Sequence, residues 1–107
     1  MIFLFLAVLA GVEPDAGLVA KGRQVAANAS PKCVMCHMLE GRGNSKNKLD
    51  GVGSRLSAEE IKAWVRTPRE MAKKKGSTLQ PAMLPFPRER LSDMDLEALT
   101  AYLLSLK

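Results

Sequence analysis

Histidine, cysteine and aromatic side chains are scarce in this sequence. Its 107 residues include one His, two Cys, one Trp, one Tyr and three Phe. Each scarcity closes a class of protein. Two cysteines, Cys33 and Cys36, cannot build the several bridges that staple small exported scaffolds. A single histidine excludes a site held by two imidazoles of one chain. Five aromatics and one short basic run, Lys73-Lys74-Lys75, give little basis for a stacking, phosphate-tracking face, so no nucleic-acid partner is expected. No stretch alternates as a strand would. Much of the apolar content is alanine, and a chain this short buries only roughly 60–65% of its unfolded surface. A large flat apolar ligand inside the fold would supply the missing buried area.

What is present begins with MIFLFLAVLAGV, an uninterrupted apolar run over residues 1–12. It is shorter than the roughly 20 residues a membrane span needs. It reads as a signal peptide with a cleavage end at Val8-Leu9-Ala10, or as a retained anchor, although no Lys or Arg precedes it. A buried or frayed N-terminal helix is the plainer reading. The division expected is a leader at 1–12 and one domain at 13–107, on an export route and so in the periplasm or on the extracytoplasmic membrane face. The formal net charge of +5 favours encounters with acidic partners.

Glu13-Pro14-Asp15 marks a break, with Asp15 placed to cap a helix over 16–29 that Ser30-Pro31 ends. Gly22 in its middle costs about 1 kcal/mol relative to Ala, which is tolerable where another backbone passes close by. Residues 38–55 are crowded with turn formers and form a long loop, as wrapping around a ligand would require. Two helix starts follow one plan. Ser57 with Glu60 forms a capping box and Leu56 staples onto Ile61; Ser92 caps a second helix, and Leu91 staples onto Leu96. The first should stop by Thr67-Pro68. The last carries Leu96, Leu99, Leu103 and Leu106 as an apolar stripe. A second irregular stretch runs from Lys75 to Arg90. The expected fold is all-α: three or more helices whose long loops are pinned to something.

Cys33-Val34-Met35-Cys36-His37 names that something. The C-x-x-C-H run reads as attachment of haem, two thiols adding to the two vinyl groups while the next residue brings an imidazole to the iron. Structural zinc needs four ligands, and the chain has no second cysteine pair and no second histidine. A thiol-exchange motif would need a βαβ context and would leave His37 idle. An electron-transfer iron usually has both axial positions filled, often by Met opposite His. Met1 lies in the leader, Met35 and Met38 are too near His37 to cross the ring, and Met94 sits within the last helix. Met71 and Met83 remain, beside the alternatives of a Lys side chain or an empty position. Met71 precedes three lysines, which suits a solvated turn; Met83 lies in Pro81-Ala82-Met83-Leu84-Pro85, a proline-flanked loop able to fix a thioether.

With these residues in view, the chain over 16–107 resembles a class I cytochrome c of the small bacterial type. The resemblance implies a cytochrome c fold around one covalent haem c, with crossing terminal helices meeting at Gly22 and Tyr102. It also implies His37 and Met83 as axial ligands. The family's loop matches Leu49-Asp50-Gly51-Val52-Gly53-Ser54-Arg55, with Leu49 in the haem wall and Arg55 where a propionate is commonly bonded. Trp64 resembles a tryptophan that reaches a propionate, and would equally serve as core. Three features depart from the family. Asn47 stands where a proline often offers its carbonyl to the ligand imidazole, Ala26 replaces a bulky residue at the crossing, and the leader is unusual for a diffusing carrier. The function implied is one-electron transfer without enzymatic activity, between a redox donor and acceptor. Lys46, Lys48, Lys73, Lys74, Lys75 and Arg88 would form the rim that meets their acidic surfaces. The alternatives are a haem-bearing subunit of a membrane respiratory or photosynthetic complex, touching the membrane through residues 1–12, and a haem-based ligand sensor.

Overall fold

The computed structural model describes residues 15–78 and 82–107; the apolar leader, Glu13-Pro14 and Pro81 lie outside them. Helix α1 spans Ala16–Asn28 and starts where Asp15 accepts from the amides of Gly17 and Leu18. Helix α2, Ala58–Arg66, opens with the full capping box: Ser57 accepts from the Glu60 amide and Glu60 from the Ser57 amide. Helix α4, Asp93–Ser105, is capped by Ser92, which accepts from the Asp95 amide. These side chains satisfy amides that a helix start leaves without partners.

Two elements depart from expectation. Helix α3, Pro68–Lys75, follows α2 after one non-helical residue, Thr67. The proline that ends α2 opens α3, since its fixed φ and missing N–H suit a first helical position. Glu70 lies in the first turn, the three lysines in the last, and Gly76 closes the helix in the left-handed conformation. Met71 is consequently buried on this helix rather than in a solvated turn. Within the loop after the histidine, Met38–Leu39 (β1) pairs antiparallel with Arg42–Gly43 (β2). Two residues are too few to alternate visibly in a sequence.

The core forms where α1 crosses α4. Val25 and Ala26 meet Leu96, Ala98, Leu99, Tyr102 and Leu103, and the cluster extends through Leu39, Val52, Ile61, Val65, Phe86 and Leu91. At the crossing a Cβ on Gly22 would lie 2.0 Å from the Ala98 carbonyl oxygen and 2.6 Å from the Tyr102 Cβ. The backbones touch, which only glycine permits. A second contact of this kind joins the loop to the end of α4: a Cβ on Gly53 would lie 2.0 Å from the Leu104 carbonyl oxygen. There the Gly53 amide donates to the Leu106 carbonyl at 2.8 Å.

Gly22→Ala must push α4 away along its backbone, so it should cost about 3 kcal/mol in denaturant unfolding, the upper end for overpacking. Gly41 has φ +77 and open space around it, so Gly41→Ala should cost only about 1 kcal/mol, from the left-handed backbone. Equal losses would mean that the crossing can relax around a methyl group.

Candidate haem site

The attachment motif is wound into one turn. Cys33–Met35 forms a 3₁₀ turn, and the Cys33 carbonyl accepts from the amides of both Cys36, at 3.2 Å, and His37, at 2.9 Å. Cys33 is half-buried and Cys36 exposed. Burial pushes the Cys33 thiol above its ordinary range.

A tight loop grips His37 at both its main chain and its ring. The Asn44 amide donates to the His37 carbonyl at 3.1 Å. His37 Nδ1 lies 3.3 Å from the Asn47 carbonyl oxygen. A carbonyl only accepts, so Nδ1 carries the proton and the Nε2 lone pair is left for a metal. The Asn47 carbonyl also accepts from the Met38 amide at 3.0 Å. The main-chain acceptor that proline often supplies in the family is therefore kept. Burial pulls the His37 pKa below its ordinary value, against the opposing bonds to Asn47, which favours the neutral imidazole that metals bind. Gly43, at φ +106, makes the close wrap possible, since a Cβ there would lie 2.3 Å from the His37 carbonyl oxygen.

Beyond the histidine, a polar cluster ties the loop to the crossing. Glu40 is a non-glycine residue with φ 50. Its carboxylate accepts from Tyr102 Oη at 2.7 Å and Arg23 Nε at 2.9 Å, while the Gly41 amide donates to Asp50 at 3.0 Å. The Arg23 guanidinium lies 5.3 Å from the Tyr102 ring centroid. This cluster borders an open cleft of about 320 Å³ lined by Ala26, Ala27, Val34 and Leu39 among others. Small Ala26 leaves that space, and charged groups bridge it.

The other residues singled out in the sequence divide by surroundings. Leu49 and Met83, like Cys33 and Leu56, are partly buried and pack against the core. Trp64 is half-buried on α2. Arg55 is exposed and donates to the carbonyls of Asp50, at 3.3 Å, and Lys48, at 3.4 Å, so its guanidinium holds its own loop. Of the basic rim, Lys75 pairs with Glu60 and Arg88 with Asp93; Lys46, Lys48, Lys73 and Lys74 are exposed. Sequence reasoning misses Asn44, Glu40 and Arg66. Of these only Asn44, a turn former next to Gly43, carries a local signal.

The cytochrome c family model matches residues 19–107. The chain belongs to the cytochrome c family. Comparison with curated proteins and with solved structures found no match. This cytochrome carries one covalent haem c and transfers single electrons; it is a carrier and not an enzyme. Its residues fit the group: two neighbouring cysteines, an imidazole with Nε2 open, and partly buried apolar side chains on the core, the Met83 thioether among them. Among the described residues no cluster of three or more His, Cys, Asp and Glu is arranged to hold a metal ion, and no helix is long and apolar enough to cross a membrane.

The chain has one tyrosine. Burial, and then the hydrogen bond to the Glu40 carboxylate, push its phenol up to about 12 from an ordinary 10. Phenolate formation followed by ultraviolet difference absorption should have its midpoint near 12 in the folded protein. Because the folded value is raised, this contribution to stability is complete below pH 10 and vanishes as pH rises through about 12. Glu40 is shifted the opposite way, its carboxyl held low by Tyr102 and then Arg23. Its contribution is present above the ordinary carboxylate range and is lost as pH falls through the depressed value. A phenol titrating near its ordinary 10 would contradict the cluster.

Proposed function

We propose that Cys33 and Cys36 form the thioether links, that His37 and Met83 are the axial ligands, and that the protein works as a periplasmic or membrane-associated electron carrier. The observation that carries this reading is the His37 ring: its Nδ1 proton is committed to the Asn47 carbonyl and its Nε2 is free to coordinate. Bound haem supplies a reversible one-electron iron couple.

The chain's residues then set the conditions of transfer. The clasp from Asn44 and Asn47 holds the imidazole in one orientation and one tautomer, so little rearrangement accompanies a change of charge. A thioether from Met83 favours the reduced form. Leu49, Leu56 and Met83, packed on the core, would keep water from the bound group and lower the local dielectric, which would act in the same direction. Trp64 and Arg55 are assigned to the propionate edge, with Arg55 also bracing the loop. The exposed lysines at 46, 48, 73 and 74 steer an acidic donor or acceptor toward the same rim.

The oxidised protein should show a low-spin spectrum with the near-infrared methionine–ferric band, and Met83→Ala should abolish that band while the covalent haem remains. A high-spin, readily carbon-monoxide-binding iron in the parent would overturn the carrier reading. For the leader, the intact mass of the exported protein should lack residues 1–10 if the segment is a signal peptide. A full-length mass in the membrane fraction would favour a tethered subunit.

A further inference from the structure

We infer that Arg66 is a positioning residue for Met83, acting through the segment that follows the methionine; the inference rests on Met83 being an axial ligand, as proposed above. Residues 82–92 form no helix or strand, so their main-chain groups must find partners elsewhere. A single guanidinium at the end of α2 provides several. Arg66 Nη1 donates to the Phe86 carbonyl at 2.8 Å and to the Leu91 carbonyl at 2.6 Å, and Nη2 donates to Asp93 at 2.8 Å. The neighbouring Val65 carbonyl accepts from the Phe86 amide at 3.0 Å. Phe86 is therefore held at both its N–H and its C=O by consecutive residues of α2, and the residue is 7% exposed.

The fork geometry matters. One nitrogen spans both ends of the Phe86–Leu91 turn while the other reaches the first residue of α4. An ammonium lacks the planar fork to serve all three acceptors. The Arg66 side chain is only 19% exposed, so these charge-assisted bonds are poorly replaced by water. Two residues separate this anchor from Met83. One is Pro85, whose fixed φ transmits the anchor's position along the chain; the other, Leu84, is 55% exposed and contributes little restraint. A thioether is a weak ligand for ferric iron. Whether it stays bound depends on how much free energy its loop gives up when it swings away, and the Arg66 bonds are what that loop would lose.

The test is displacement of Met83 by added imidazole in the matured ferric protein. The iron–Sδ bond breaks, an iron–nitrogen bond forms, and no electron moves. Disappearance of the near-infrared band gives the affinity. Arg66→Met should bind imidazole at least about tenfold more tightly, since two charge-assisted bonds no longer favour the closed loop. Arg66→Lys should fall between it and the parent, and it decides the question if Arg66→Met does not fold. Asp93→Asn spares both carbonyl bonds, and Arg23→Gln removes the ion pair with Glu40 without touching the Phe86–Leu91 segment; both should match the parent. Amide exchange at Phe86 should quicken in the Arg66 variants. Lowered melting temperatures with parent imidazole affinity in both Arg66 variants would overturn the proposal and leave Arg66 as a stabiliser only. If Met83→Ala itself keeps the band, Met83 is not the ligand, and the proposal falls together with the reading it rests on.

Discussion

Contact between the backbones of α1 and α4 at Gly22 is the constraint on which the rest of the structure depends. With no side chain at that position, the Ala98 carbonyl and the Tyr102 Cβ sit against the main chain of α1. The approach brings Val25 and Ala26 into the same cluster as Leu96, Leu99 and Leu103. Everything else is attached to that pair. Gly53 fastens the loop to the end of α4 by the same device, and Glu40 ties the β1–β2 hairpin to Arg23 and Tyr102.

The crossing shows how a small protein with few aromatics manages its core. Ala26 stands where a bulky residue would fill the gap, and a cleft of about 320 Å³ remains. Charged and phenolic groups at its edge do what a ring would have done by packing. Exposed ion pairs contribute little singly. Here the carboxylate also accepts from a buried phenol, and the three groups come from three separate elements, so the cluster specifies arrangement more than it adds stability.

Much of this arrangement is legible in the sequence because its causes are local. The caps at Asp15, Ser57 and Ser92, the stop at Thr67, the C-x-x-C-H turn and the glycine of the crossing each depend on neighbours within a few residues or on the absence of a side chain. Helix α3 is legible in principle. Pro68 at a first helical position, lysines in the last turn and Gly76 after it form a complete start and stop, which taking Pro68 only as a terminator conceals. The partners of Arg66 and Glu40 belong to another class. Phe86, Leu91 and Tyr102 come close to them only after the chain has folded, and no spacing rule connects such distant positions.

The order in which these pieces arise along the chain has its own consequence. Gly22, Cys33 and Cys36 precede Ala98, the residue that Gly22 must touch, by most of the described sequence. A contact of such long range closes slowly, since a large loop must lose its freedom before any burial is gained. During synthesis, Cys33 and Cys36 thus emerge while their scaffold is still open. Both side chains are therefore reachable before the last helix arrives to close the fold.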